Sequence, residues 1–233
     1  MKPLPCVISK SRKLQQSVIM VKDLANYRRA YSKGELLESE IPGEPMELFR
    51  DWFGEIEKIK DTIEVNAMTI STIGPNGFPK NRVVLLKEFG PDGFVFYTNY
   101  KSDKGKALET NPNICISFFW NEIERQVIVQ GIAEKFSEEK AVEYFKSRPR
   151  GSQLGAWASN QSSEIASREV LEKCLRELET EYNDKEIPKP PYWGGYLIRP
   201  VNFEFWQGRP NRLHDRIFFE KKGNNWNIKR LAP

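Results

Sequence analysis

Residues 211–216 read NRLHDR and hold the only histidine of the chain, His214. Histidine titrates closer to neutral pH than any other unperturbed side chain, so proton transfer is the first chemistry to consider. Arginines stand two positions to either side. Strand geometry places Arg212, His214 and Arg216 on one face, with Leu213 and Asp215 on the other. Three such groups in a row repel unless an anion, a flat aromatic ligand or open solvent relieves them. A structural polar histidine on a strand accounts for the same residues.

Cationic and hydroxyl groups recur at three further places. In NRVVLLK, Arg82 opens a strand-like run and Lys87 closes it, at an odd separation that points them to opposite faces. Arg82 either lies in water on an edge strand or matches its fork to a phosphate. In YTNYKSDKGKAL, Thr98 and Ser102 offer hydroxyls, and Lys104 falls in the first turn of a short helix, where free N–H groups attract anions. In YFKSRPRGS, Tyr144 and Arg148 share a helix face and Ser152 follows the break at Pro149. A phenol, a guanidinium and a hydroxyl converging there make a phosphate site. A helix C-terminus that favours an arginine explains them equally well. A nucleophile elbow, a Walker A loop, a zincin helix and a dinucleotide fingerprint are all absent from the sequence.

The totals narrow the class. The net charge of +4, from 36 basic and 32 acidic residues, is too balanced for a nucleic-acid footprint. Cys6, Cys115 and Cys174 are odd in number and far apart, which argues against a disulfide framework and for a reducing compartment. One histidine leaves little from which to build a metal site, so none is expected. The longest apolar run, residues 114–120, is far short of a membrane span. Residues 1–22 carry Lys2, Lys10, Arg12, Lys13 and Lys22 with no acid before Asp23. The expectation is a disordered basic leader over about residues 1–25 of a cytoplasmic protein; a mitochondrial transit peptide has the same composition.

These residues need elements to position them. EPMELFRDWFGEIEKIK has Pro45 at a helix start and apolar residues at helical spacing. AMTISTI ends at the turn residues 74–77, and RVVLLKEF leads through Gly90-Pro91-Asp92-Gly93 into FVFYTN, which reads as a hairpin. ICISFFW and RQVIVQGIAEKF read as a second antiparallel pair. Ser137 caps a helix that stops near Arg148, because Pro149 disfavours helical geometry there. SREVLEKCLRELETEY is an amphipathic helix, with Val170, Leu171, Cys174, Leu175, Leu178 and Tyr182 on one side. GGYLIRP, NFEFWQG, DRIFFE and NWNIKRL are four short strands. Short strands with a few helices between them predict a β-barrel wrapped by helices in one domain, residues 26–233.

The stretches RVVLLK, FYTN, ERQVIVQG, YFKSRPRGSQLGAWAS, NQSS, WGGY, EFWQGRPNRLHDR and the terminal RLAP together resemble the pyridoxine (pyridoxamine) 5′-phosphate oxidase family, from about Tyr27 to Pro233. The resemblance implies a β-rich α+β fold, an FMN-binding split β-barrel with surrounding helices. It implies a homodimer with FMN at the interface. Carried over by position, Arg82, Val83, Val84, Leu85, Tyr97, Thr98, Lys104, Gln126, Gln161, Ser162, Trp206 and Arg216 bind FMN. Lys87, Tyr144, Arg148 and Ser152 surround the substrate phosphate, while Arg212 and His214 lie over its ring as the catalytic pair. Arg28 and Tyr31 match a segment that closes over the substrate. One departure is the acid in KSDKGK. Asp103 stands where the family carries a basic residue, and either weakens FMN binding or complements the helix start.

The reaction so implied is oxidation of pyridoxamine 5′-phosphate or pyridoxine 5′-phosphate to pyridoxal 5′-phosphate, with O2 reduced to hydrogen peroxide. The rival is a non-catalytic flavin- or pyridoxal-phosphate-binding protein on the same barrel. It would lack the residues over the ring, whereas Arg212 and His214 are both present.

Overall fold

In the computed structural model, which describes residues 21–59 and 64–233, two units are distinguished, Met1–Ala30 and Tyr31–Pro233. Of the first, residues 21–30 are described; they turn at Ala25 and Asn26, and Arg28 Nε donates to the Ala25 carbonyl at 2.9 Å. The leader and transit-peptide readings fall almost wholly on residues 1–20, as does Cys6, outside the described residues.

In the second unit Pro45 supplies the fixed φ of a first helical position, opening α1 (Pro45–Glu57). Its stripe of Leu48, Phe49, Trp52, Phe53 and Ile56 is buried. Phe49 meets Phe94 edge-on at 4.9 Å and Trp52 meets Phe205 at 5.2 Å, so α1 packs its aromatic face onto the sheet. The strands follow as β1 (Ala67–Ile73), β2 (Pro79–Leu85), β3 (Glu88–Gly90) and β4 (Gly93–Asn99). After α2 (Asp103–Thr110) come β5 (Asn113–Trp120) and β6 (Arg125–Lys135). Helices α3 (Glu138–Ser147), α4 (Arg150–Ala158) and α5 (Arg168–Glu181) precede β7 (Trp193–Gln207), β8 (Asp215–Lys222) and β9 (Asn225–Arg230).

The strand order is β2-β1-β5-β6-β7-β4-β3, with β8 on β7 and β9 on β8. The expected β5–β6 pair is present, and the last two strands, β8 and β9, pair with each other. Other expectations need correction. The run RVVLLKEF does not form a single hairpin strand: β2 pairs with β1, and β3 alone pairs with β4. The chain changes partner between Leu86, whose N–H reaches Asn66, and Lys87, whose N–H reaches Val95. Lys87 therefore lies outside β2. GGYLIRP and NFEFWQG are one strand, β7. Residues 94–99 pair with its first part and β8 with residues 202–207, and the exchange falls near Pro200, opposite a register shift at Gln130 and Gly131. Proline has no N–H for the ladder and fits at such an irregularity.

The third correction bears on the histidine. Pro210–Arg212 is a 3-10 turn with Asn211 and Arg212 at φ near 60°, and β8 begins only at Asp215. Arg212, His214 and Arg216 therefore do not share a strand face. Helix α4 was not foreseen, since Gly151 and Gly155 weaken its propensity. It packs with α3 and α5 around Phe145, Leu154, Ile187 and Trp193. On α5, Leu175 and Leu178 join that cluster, as does Tyr182 just past its end, but Val170 is exposed.

Candidate active site

Three groups of residues gather the sequence-predicted side chains. The first lies where β2, β4 and the start of α2 meet. Ser102 caps α2 through the Gly105 N–H, which fixes Lys104 in its first turn. Lys104 is buried, and its Nζ donates to Gln161 Oε1 at 2.9 Å and Thr98 Oγ1 at 3.2 Å. Both partners are neutral, and an ammonium has three N–H groups. Burial first, and the Arg82 charge second, push Lys104 down to about 8. Arg82 Nη1 donates to Thr72 Oγ1 at 2.7 Å, and burial lowers its pKa too. Two cations that face neutral acceptors gain from an added anion. The acid in reach, Asp103, is held by Lys80 at 2.5 Å, which keeps its carboxyl below the usual range. A cavity of about 600 Å³ opens there, lined by Thr72, Lys80, Arg82, Asp103 and Lys106 among others. Beside it, Val83, Val84 and Leu85 belong to β2, an edge strand of the described sheet. Ser162, next to Gln161, holds φ 72°.

The second group sits on α3, β4 and the first residues of β7. Arg148 caps α3 and lies over the Trp193 ring at 4.8 Å. Its Nη1 is buried without a hydrogen-bond partner. Burial lowers its pKa, and Tyr144 opposes that shift. Tyr97 stacks between the aromatic neighbours, 4.2 Å from Tyr144 and 5.3 Å from Trp193. Burial pushes the Tyr97 phenol up to about 12. Lys87, Tyr97, Tyr144 and Ser147 line a smaller cavity of about 290 Å³. Ser152 lies in the first turn of α4, just beyond Arg148. Trp193 escaped the sequence reading, because nothing in residue spacing brings position 193 beneath position 148.

The third group forms at the far end of β7. Gln126, Trp206 and Arg216 stand in one row across β6, β7 and β8. Gln126 Nε2 donates to Ser117 at 3.2 Å. Arg216 donates to Glu204 at 2.8 Å and to the Ala232 carbonyl at 2.7 Å, and the Glu204 bond raises its pKa. His214 lies 4.7 Å from the Trp206 ring, and Tyr31 touches both edge-on. Burial first, and the Arg212 charge second, lower the His214 pKa, so the neutral ring predominates near neutral pH. The Arg209 N–H donates to His214 Nδ1 at 3.1 Å. A neutral ring that accepts at Nδ1 carries its proton on Nε2. His214 thus offers a donor rather than a base. Arg212 is exposed.

An antiparallel sheet with a forked strand, a buried lysine and a half-buried arginine beside a cavity, and an aromatic row fit a flavin-binding split barrel. A family model described as pyridoxamine 5′-phosphate oxidase matches residues 56–181, and one described as the pyridoxine 5′-phosphate oxidase C-terminal dimerisation region matches residues 193–233. The chain belongs to the pyridoxamine 5′-phosphate oxidase family, and FMN is its cofactor. It is 62% identical over 214 residues to a pyridoxine/pyridoxamine 5′-phosphate oxidase of Christiangramia forsetii, covering 92% of this chain and 100% of that one. A relative of the same description from Flavobacterium johnsoniae is 59% identical, covering 90% and 99%. Among solved structures, PhzG from Burkholderia lata in complex with tetrahydrophenazine-1-carboxylic acid superposes with a TM-score of 0.80 at 27% identity, covering 87% and 100%. An FMN-binding protein from Nostoc punctiforme shares the fold, with a TM-score of 0.65 at 15% identity, covering 83% and 100%.

Proposed function

We infer that the protein oxidises pyridoxamine 5′-phosphate or pyridoxine 5′-phosphate to pyridoxal 5′-phosphate, as a homodimer with FMN at the interface and O2 as the final acceptor. The observation that carries the reading is the buried Arg148 Nη1, a charged donor without a partner. Such a donor is costly unless an anion meets it, and a phosphate matches the guanidinium fork. Lys87, Tyr144 and Ser152 are assigned to the same phosphate.

Lys104, Arg82, Thr98 and Gln161 are assigned to the FMN phosphate, where a third N–H of Lys104 meets the new anion. Arg82, Val83, Val84 and Leu85 offer the β2 edge, and Tyr97, Ser162, Gln126, Trp206 and Arg216 complete the set. Bound FMN supplies the two-electron acceptor for the substrate's C4′ carbon, and dioxygen removes those electrons as hydrogen peroxide. Arg212 and His214 hold the pyridine ring, His214 as a donor through Nε2. Tyr31 and Arg28 belong to the segment over the substrate. Residues 26–233 act as the oxidase domain, and residues 1–25 as a leader. Among the described residues, no helix is long and apolar enough to cross a membrane.

A dimeric site is supported by distance along β7. Trp193, beneath Arg148, and Trp206, beside His214, are thirteen residues apart on that strand. That is roughly 40 Å of extended chain. One small substrate cannot touch both ends in one subunit, so the phosphate group of one chain meets the ring group of the other.

The test is a visible spectrum under nitrogen. Flavin bands of the purified protein should bleach on addition of pyridoxamine 5′-phosphate and return with peroxide when air is admitted. Bands that never bleach would leave a flavin-binding protein without the activity. For the shared site, mixing Arg148→Ala with Arg212→Ala subunits should restore activity, because one of the two sites in a mixed dimer is intact.

A further inference from the structure

Residues 31–36 lie along the Gln207–Gly208–Arg209 segment in an arrangement made mostly of polar contacts. The Ser32 and Lys33 N–H groups both donate to Glu124 Oε2, at 2.7 and 3.0 Å. A Cβ built on Gly34 would stand 2.9 Å from Gln207 Oε1, and one on Gly208 would stand 2.8 Å from the Tyr31 ring. Neither approach leaves room for a side chain. Arg209 Nη1 donates to the Gly34 carbonyl at 3.0 Å and to Glu35 at 3.1 Å, and Nε lies 3.5 Å from Asp215. The Leu36 N–H donates to that same Asp215 at 3.1 Å, and Arg230 bonds the other oxygen of Asp215 at 2.8 Å. Arg230 also reaches the Leu36 carbonyl and Glu38.

One residue joins both sides of this arrangement. The Arg209 backbone N–H holds His214 Nδ1, while its side chain holds Gly34 and Glu35. Tyr31, at the head of the held segment, packs on the His214 ring. We propose that Arg209 is a positioning residue that locks the Tyr31 segment to the His214 loop and thereby fixes which His214 nitrogen faces the substrate. The proposal rests on the assignment of Tyr31 and His214 to the substrate site. Its physical basis is the planar fork: one guanidinium spans a backbone carbonyl and two carboxylates on separate segments, which an ammonium does less well. With the side chain removed, the 209–214 turn loses its anchor to residues 34–35. The N–H at 209 is then no longer held against Nδ1, and His214 can exchange its proton between nitrogens. The groups facing the ring are Trp206, Tyr31, Arg212, Asp215 and the Arg209 N–H.

Because His214 is the only histidine, holoenzyme made with isotope-labelled histidine reports this one ring. Long-range nitrogen–proton correlation should show a single Nε2–H tautomer in the wild type and a mixture in Arg209→Ala. The KM for pyridoxamine 5′-phosphate should rise about fivefold in Arg209→Ala, a partly exposed set of charged bonds being worth no more than that. FMN affinity should be unchanged, and kcat should fall less than KM rises. Arg209→Lys should recover part of both the tautomer and the KM, and it serves as the primary variant if Arg209→Ala does not fold. A wild-type tautomer and an unchanged KM in a folded Arg209 variant would overturn the role of Arg209. Arg212→Ala separates the two readings. If it raises KM while the Arg209 variants do not, Arg209 alone is misassigned. If it too leaves KM unchanged, the substrate-site assignment fails, while a tautomer change in Arg209→Ala would still establish the lock.

Discussion

The two ends of β7 both place a basic or ionisable side chain against a tryptophan, and they differ in what those groups lack. At Trp193, Arg148 stacks on the ring with a buried N–H that bonds to nothing. At Trp206, His214 has its Nδ1 satisfied, and Arg216 in the same row is paired with Glu204. The first end leaves a buried charged donor unmet. The second is already a settled surface, with a neutral ring that presents one donor. On the proposed reading, charge recognition and ring placement fall at distant parts of one strand.

The largest effect should come from the incomplete end. Arg148→Ala is expected to raise the KM for the phosphorylated substrate roughly tenfold to a hundredfold, the loss of about 1.5–3 kcal/mol of charge-assisted hydrogen bonding. Its kcat should change little, because the phosphate is remote from C4′. Steady-state kinetics decide this, and an unchanged KM would erase the contrast between the two ends.

The group proposed to hold the FMN phosphate, on β2, β4 and α2, sharpens the same point, since Lys104 donates only to the neutral Thr98 and Gln161. Lys104→Met should weaken FMN binding about tenfold at neutral pH. In the wild type, FMN affinity should fall severalfold between about pH 7 and about pH 9, since the phosphate favours an ammonium whose pKa in the free protein is pushed down to about 8. The variant should be flat over that window. Stability of the apo-protein runs the other way. The folded pKa lies below the ordinary value of 10.5, so the unfolded chain holds the extra proton and stability rises as pH climbs from about 8 toward that value. Fluorescence titration with FMN, and thermal melts of apo-protein, check the two signs.

At the settled end, His214→Asn should lower kcat by less than about tenfold, against the 10²–10⁴-fold typical of a lost general base. Arg212→Ala should cost more in kcat/KM. A collapse of kcat in His214→Asn at every pH, with FMN still bound, would make the histidine a base after all. The smallest effect belongs to Asp103. Its carboxylate is already held by Lys80 and half-exposed, so Asp103→Arg should tighten FMN binding only about threefold at low salt and less at moderate salt. Equal or weaker binding would mean that the acid does not oppose the phosphate at all.

Much of this protein follows from local sequence. The α1 stripe, the Pro149 break, the β5–β6 and β8–β9 pairs and the cap at Ser102 arise from spacing and turn chemistry within a few residues. The motifs that identify the family are contiguous, and Arg82, Arg148 and His214 each stand inside one of them. What spacing could not supply was partnership. Even spacing in NRLHDR suggested a strand face, but positive φ at Asn211 and Arg212 turns the chain before β8 begins. RVVLLKEF is one apolar run, yet it changes partner at Leu86–Lys87, and two separate-looking runs fuse into β7 across Pro200. Side-chain chemistry and local turns are encoded where they stand. The orphaned donor of Arg148 over Trp193, the Nδ1 contact that leaves the His214 proton on Nε2, and the placing of the two groups at opposite ends of β7 depend on residues far apart in sequence. Only folding sets those distances, because burial and hydrogen-bond satisfaction are properties of the neighbours a residue acquires.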